Sequence, residues 1–126
     1  MRKSWIGLML LAFSSGLFAQ CGTGAPHCVV LAWSWAQGSG GVATSFNILR
    51  STVTGGPYTQ VGTTPVTLTS YTDNSGTGNV LTEGSTYFYV IAASGPGGSS
   101  PNSTEASAKI PFLPPVTPTN PVATAH

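Results

Sequence analysis

Few side chains in this sequence of 126 residues are of the types that perform catalysis. The three carboxylates, Asp73, Glu83 and Glu105, are far apart in sequence, and no motif pairs them with a base or a nucleophile. The histidines, His27 and His126, fall near the two ends. An active site needs converging polar groups, and no serine lies in a G-x-S-x-G elbow. The sequence therefore predicts a protein that is not an enzyme and that takes no cofactor.

The two cysteines could form a disulfide bond. Six residues separate Cys21 from Cys28 in the flexible run CGTGAPHC, and an even number of cysteines in an exported chain suggests pairing. Free thiols or intermolecular disulfides are the alternative. A metal site would need further ligands, and although His27 is adjacent to Cys28, the sequence has no second Cys/His pair. No metal is therefore expected.

Residues 1–19 have the pattern of an export signal. MRK is basic, WIGLMLLAF is a short apolar run, and SSGLFA supplies small residues that end at Ala19. Cleavage there predicts a secreted or cell-surface protein with no membrane insertion. The alternatives are an uncleaved anchor and a lipoprotein with Cys21 lipidated. Against the lipoprotein, Gln20 and Phe18 stand where that processing prefers a small residue and a leucine.

The charge content excludes one class of partner. Only 6% of the residues are charged, and the formal net charge is +1. If residues 1–19 are removed, two cations, Arg50 and Lys109, remain together with the three carboxylates. Nucleic-acid binding needs a basic stripe, so no nucleic-acid partner is expected. The length fits one domain.

Beyond residue 20 the apolar residues recur with a period of two, which is typical of strands. Glycine, serine, proline and asparagine separate the runs. The predicted strands are CVVLAWSW, TSFNILRS, YTQVG, TSYTD, LTEGSTYFYVIAAS and STEASAKI. The side chains expected to face inward are Val29, Leu31, Trp33, Phe46, Ile48, Tyr87, Tyr89 and Ile91. This pattern predicts an all-β sandwich of two sheets.

Residues 27–111 resemble a fibronectin type III domain of the bacterial extracellular kind. The marks are Trp33 on the second strand of that fold, Leu81 six residues before Tyr87, and the hairpin RSTVTGGPYT. In the family, such a leucine and tyrosine form the tyrosine corner, in which the hydroxyl ties a loop to the backbone. The resemblance implies an immunoglobulin-like sandwich of about six or seven strands. The fold-defining core would be Trp33, Ile48, Leu81, Tyr87 and Tyr89.

The sequence departs from the family at its beginning. Family members have a strand ahead of the Trp33 strand, but residues 20–26 contain only QCGTGAP. The first strand is therefore expected to be missing, or reduced to a stub held by the disulfide.

Four apolar residues are candidates for a binding surface. Trp35 follows Trp33 by two residues where the strand should end, so it is either an extension of the core or an exposed platform for a sugar or a protein. Leu49, Phe88 and Val90 would lie together on the outer face of the second sheet, exposed to a partner or covered by neighbouring side chains. The resemblance implies a non-catalytic binding or spacer module for a protein, matrix or glycan ligand.

The last residues, 112–126, form a proline-rich tail that resembles the first strand of a further repeat. The candidate strand residues are Pro118, Val122, Ala123 and Ala125. The tail could donate a strand to the next copy of the chain, so that copies assemble head to tail. Against this, Pro121 cannot donate a backbone hydrogen bond. An inert linker and a fragment of a tandem array are the alternatives.

Overall fold

The computed structural model describes residues 6–9, 21, 27–74 and 80–126. The predicted cleavage site after Ala19 and the predicted turn at 75–79 lie outside these residues. All regular structure in the described part consists of strands, and no helix there is long and apolar enough to cross a membrane. The strands are β1 Ile6–Met9, β2 Cys28–Trp35, β3 Ser45–Ser51, β4 Thr59–Pro65, β5 Ser70–Asn74, β6 Thr86–Gly95, β7 Gly98–Ser99 and β8 Ala106–Lys109.

The strands form two antiparallel sheets. The smaller sheet has the order β1-β2-β5. The larger has the order β4-β3-β6, and both β7 and β8 pair with β6, at Ser94–Gly95 and at Thr86–Tyr89 respectively. The predicted all-β, immunoglobulin-like sandwich is thereby confirmed.

Side chains that alternate along the strands fill the space between the sheets. In β2, Val29, Leu31 and Trp33 are buried, and Phe46 and Ile48 of β3 are fully buried opposite them. Strand β6 adds Tyr87, Tyr89, Ile91 and Ala93. The period of two therefore identified the buried face of each strand, because successive side chains of a strand point to opposite faces.

Two strands differ from the sequence expectations. The strongest predicted strand began at Leu81, but residues 83–84 form a turn and β6 begins at Thr86. The segment predicted to be a loop after β6 contains the short strand β7, Gly98–Ser99, which closes a tight hairpin. Both differences lie at strand ends, where turn geometry decides the boundary.

The first-strand position holds a segment that the sequence assigned to the export signal. Ile6–Met9 pairs antiparallel with β2, with Ile6 opposite Trp35 and Met9 opposite Ala32. The other edge of β2 pairs with β5. The expectation of a missing or reduced first strand falls on residues 20–26, of which only Cys21 is described. In the described part of the chain, Ile6–Met9 occupies this edge of β2.

One glycine is required by close packing between the two sheets. A Cβ at Gly62 in β4 would lie 2.3 Å from the ring of Tyr71 in β5. The Tyr71 hydroxyl reaches past this position and donates a hydrogen bond to the Val61 carbonyl, at 2.9 Å. A side chain at residue 62 would displace the tyrosine and open this edge of the sandwich.

Candidate binding surface

The predicted disulfide is present between Cys21 and Cys28. It joins Cys21, which lies ahead of β2 in the sequence, to Cys28, the first residue of β2. A disulfide suggests an extracellular location, since reducing compartments do not maintain such bonds. Among the described residues, no group of three His, Cys, Asp or Glu side chains is placed to hold a metal ion.

Trp35 packs against the core and is only half-buried. Its ring meets Phe46 edge to face, with centroids 5.3 Å apart, and the ring of Trp33 meets Phe46 in the same way at the same distance. The indole Nε1 of Trp35 is enclosed without a hydrogen-bond partner in the structure. Trp35 therefore extends the core to the end of β2 and leaves only part of its ring at the surface.

In the predicted outer-face cluster, the structure favours the covered alternative for Val90. Val90 lies opposite Leu49 on the outer face of the larger sheet, but only 3% of its surface is exposed. Leu49 and Phe88 are half-buried. The period of two gives the face to which a side chain points, but cross-strand neighbours determine its exposure. Val90 is therefore not available to a ligand, and Leu49 and Phe88 are available only in part.

Sequence reasoning missed two exposed apolar side chains near Trp35. Three loops, residues 36–44, 66–69 and 96–97, meet at the end of the sandwich where β2 finishes, and we call this the Trp35 end. Val42 is 69% exposed there and Leu68 is 51% exposed. Neither residue follows a strand period, because both lie in loops, so no sequence signal marked them.

Backbone and side-chain hydrogen bonds hold the loops of the Trp35 end in place. The Gln37 amide donates to the Gly41 carbonyl at 2.9 Å and accepts from the Ala43 N–H at 3.1 Å. The Val66 N–H donates to the Thr44 carbonyl at 3.0 Å. Val42 is thereby presented on an ordered loop, which lowers the entropy cost of binding a partner.

Arg50 and Asp73 form an ion pair inside the sandwich. Asp73 ends the predicted strand TSYTD and lies in β5, with its side chain 1% exposed. The Arg50 Nη1 donates to its Oδ2 at 2.8 Å, and the Tyr89 hydroxyl donates to the same oxygen at 2.8 Å. Burial, and then the charge of Asp73, raise the pKa of Tyr89, so its hydroxyl keeps the proton that it donates. The ion pair therefore joins the two sheets and has no open position for a substrate.

The tyrosine corner has the geometry that the resemblance implied. The Tyr87 hydroxyl accepts a hydrogen bond from the Thr82 N–H at 2.9 Å and donates one to the Val80 carbonyl at 3.4 Å. Leu81, between them, is 3% exposed. The Arg50 guanidinium lies over the Tyr87 ring, 5.1 Å from its centroid. This corner fixes the loop that leads into β6.

Replacing Tyr87 by phenylalanine should reduce the free energy of unfolding by about 1–2 kcal/mol, because the Thr82 N–H then loses its acceptor in a partly buried hydrogen bond. The change is measured by chemical denaturation. Tyr58→Phe, which removes a hydroxyl from an exposed site, is the control and should have a smaller effect. Equal effects of the two changes would contradict the assignment of the corner.

Glu105 ties the turn after β3 to the segment before β8. Its carboxylate accepts hydrogen bonds from the Thr54 hydroxyl at 2.7 Å, the Gly55 N–H at 2.8 Å and the Tyr58 hydroxyl. These donors, with Tyr58 first, lower the pKa of Glu105, and the bond to Glu105 raises the pKa of Tyr58. All three carboxylates of the chain thus have partners within the protein, since Glu83 contacts His27 at 3.2 Å.

Replacing Glu105 by glutamine should lower the melting temperature at neutral pH but not in acid. Because the folded state lowers the pKa of Glu105, the carboxylate stabilises the fold above its ordinary pKa. That contribution disappears as the pH falls through the lowered value. Thermal melts of both proteins from neutral to acid pH should therefore converge. A difference in melting temperature that does not change with pH would contradict the role of the charge.

These features define a class of protein. Two antiparallel sheets packed face to face, with a tryptophan in the core and a tyrosine corner at the entry to β6, are those of an immunoglobulin-like β-sandwich domain. Among solved structures, the chain is similar to an Fn3-like protein from Clostridium thermocellum, with 39% sequence identity over 69% of this chain and 80% of that chain, at a TM-score of 0.52. The protein belongs to the fibronectin type III family.

Two human domains share the fold. The sixth fibronectin type III domain of human fibronectin type III domain containing protein 3 is 19% identical, over 79% of this chain and 85% of that chain, at a TM-score of 0.55. A fibronectin type III domain from human KIAA0970 protein is 18% identical, over 79% and 76%, at 0.54. No protein-family model and no curated protein matches the sequence. Fibronectin type III domains are generally non-catalytic modules.

Proposed function

We propose that this protein is an exported binding and spacer module that contacts a protein, matrix or glycan ligand through the Trp35 end. The observation that carries this proposal is the exposure of Val42 and Leu68 on loops at the end of the sandwich where β2 finishes with the half-buried Trp35. An apolar patch on ordered loops, with a polar surround, is typical of interaction sites. The disulfide and the leader pattern support export.

The partners of the three carboxylates support a role without catalysis. Asp73 bonds to Arg50, Glu83 to His27, and Glu105 to the turn after β3. Each of these contacts positions a strand or a loop. A general acid or base needs a carboxyl group that faces a substrate site, and these groups face their own domain.

Polar substitutions at the Trp35 end test the proposal. The protein is screened on arrays of glycans and matrix proteins, and each hit is retested with Val42→Ser and Leu68→Ser. Trp35→Ala is less suitable, because Trp35 also packs on Phe46. Val53→Ser is the matched control, since Val53 is 56% exposed in the turn after β3, at the other end of the sandwich.

The expected result is a ligand that the Val42 and Leu68 variants bind at least about tenfold more weakly, as when an apolar contact of about 1.4 kcal/mol is lost. The Val53 variant should bind it normally. Hits that all three variants bind equally would show that the contact surface lies elsewhere. The absence of any hit would leave only a spacer role.

A further inference from the structure

The edge of β2 next to Ala32–Trp35 accepts an extended segment in antiparallel register. Ile6–Met9 occupies it in the structure, and the other edge of β2 is paired with β5. If the protein is exported and residues 1–19 are removed, as in the proposed function, this edge loses its partner. An unpaired edge exposes a row of backbone donors and acceptors.

The tail is an unpaired segment in the same structure. Residues 114–126 form no strand, and all of them are exposed, including Val122 at 88%. We propose that, after removal of the leader, residues 121–125 of a second copy take the place of Ile6–Met9 on β2. The chain would then assemble head to tail.

The hydrogen bonds of β2 determine the register. The Trp33 N–H donates to the Thr69 carbonyl at 3.0 Å, on the β5 side. Successive N–H groups of a strand point to opposite edges, so Ala32 and Ser34 point their N–H groups to the vacated edge. In the donated strand, a residue opposite Ala32 or Ser34 must therefore have a backbone N–H that bonds to β2. A residue opposite Trp33 or Trp35 needs no such N–H.

This alternation of N–H directions allows Pro121 in the donor strand, although proline cannot donate a backbone hydrogen bond. With Pro121 opposite Trp35, Val122 lies opposite Ser34 and Thr124 opposite Ala32, where their N–H groups bond to β2. Pro121 has no N–H, but at its position an N–H would point to solvent. Pro121, Ala123 and Ala125 would then share the inward face with Trp33, Trp35 and Leu31.

The geometry of the tail's exit excludes the same chain as the donor. The Leu113 N–H contacts the Glu83 carboxylate, which also contacts His27 next to the beginning of β2. A Cβ at Gly84 would lie 2.5 Å from the Phe112 ring, so the exit is packed there as well. An antiparallel donor must instead enter at Trp35, the far end of this strand of eight residues.

The tail is too short to reach that end and then turn back. The seven steps from Cys28 to Trp35 span about 23 Å at ~3.3 Å each. The eight steps from Leu113 to Pro121 span about 26–29 Å when fully extended, which leaves too few residues for a reversal. A second copy can accept the strand without any reversal of its direction. Such contacts are not reciprocal, so the assembly need not close and can grow.

The first experiment measures assembly of the exported protein. Mass spectrometry establishes where the isolated chain begins, and size-exclusion chromatography with light scattering gives its mass over a dilution series. We expect the mass to rise with concentration, and a chain that lacks residues 118–126 to be a monomer. A monomer at every concentration, or an isolated chain that retains residues 1–19, overturns the proposal.

The second experiment is a proline scan of the tail. Thr124→Pro removes an N–H that faces β2 and should weaken assembly by about tenfold, as for the loss of one hydrogen bond. Ala125→Pro is the comparison within the same strand, because its N–H faces solvent, and it should weaken assembly less than Thr124→Pro does. Equal effects of the two prolines overturn the register. If Thr124→Pro instead destabilises a monomer, the tail pairs with its own domain and the second copy is excluded.

Failure of this assembly and failure of the proposed function give different results. The donor strand involves residues 121–125 and the edge of β2, whereas ligand binding is tested at Val42 and Leu68. Thr124→Pro should therefore not change ligand binding by single domains, and Leu68→Ser should not change assembly.

Discussion

Replacement of Trp33 by alanine should lower the free energy of unfolding by roughly 3–5 kcal/mol, the range for large aromatic residues in protein cores. Trp33 is 5% exposed, and its ring packs edge to face on Phe46. Alanine would leave a cavity between the sheets and remove this aromatic contact. A small domain is stable by about 5–15 kcal/mol, so a large part of its stability would be lost.

Far-UV circular dichroism in a denaturant series measures this loss independently of tryptophan fluorescence. Leu68→Ala is the control, because Leu68 is 51% exposed and its replacement should change stability by no more than about 0.5 kcal/mol. Similar midpoints for the two variants would show that Trp33 is not the centre of the core.

Replacement of Arg50 by methionine should cost about 3–5 kcal/mol, as for a buried ion pair that loses one partner. Asp73 is 1% exposed and would lose the guanidinium that compensates its carboxylate, with only the Tyr89 hydroxyl donating to its Oδ2. The same substitution removes the cation that lies over the Tyr87 ring. The two sheets would thereby lose one of the polar contacts that join them.

The matched control is Lys109→Met, which removes a cation from an exposed position in β8. The double variant Arg50→Met, Asp73→Leu should recover much of the stability, because it leaves no charge uncompensated in the interior. Denaturation of the wild type, Arg50→Met, Asp73→Leu and the double variant completes a double-mutant cycle. If Arg50→Met is no worse than Lys109→Met, the ion pair does not stabilise the sandwich.

The sequence predicted most of the core but not the polar contacts inside it. Tyr89 and Ile48 were assigned inward by the alternation of their strands, and both are fully buried. Asp73 and Arg50 are 23 residues apart and lie in different sheets. Their contact depends on how the sheets face each other, which no local pattern records.

The candidate binding surface was likewise predicted only in part from the sequence. The sequence singled out Trp35 because an aromatic residue stood where a strand should end. It could not show that Val90 is buried, since that depends on neighbours across two strand pairs. It gave no signal for Val42 or Leu68, because exposure of a loop residue follows from the packing of other loops.

The sequence by itself determined the all-β sandwich, the inward face of each strand and the residues of the tyrosine corner, because the period of two and the turn residues act over a few neighbouring positions. Only the tertiary structure decided which carboxylate meets which partner, which apolar residues remain exposed, and which segment pairs with the free edge of β2. Each of these depends on contacts between residues far apart in the chain. For that edge the Trp33–Thr69 hydrogen bond shows which N–H groups of β2 point outward, and the proposed donor strand uses this register, with Pro121 at a position where no N–H is needed.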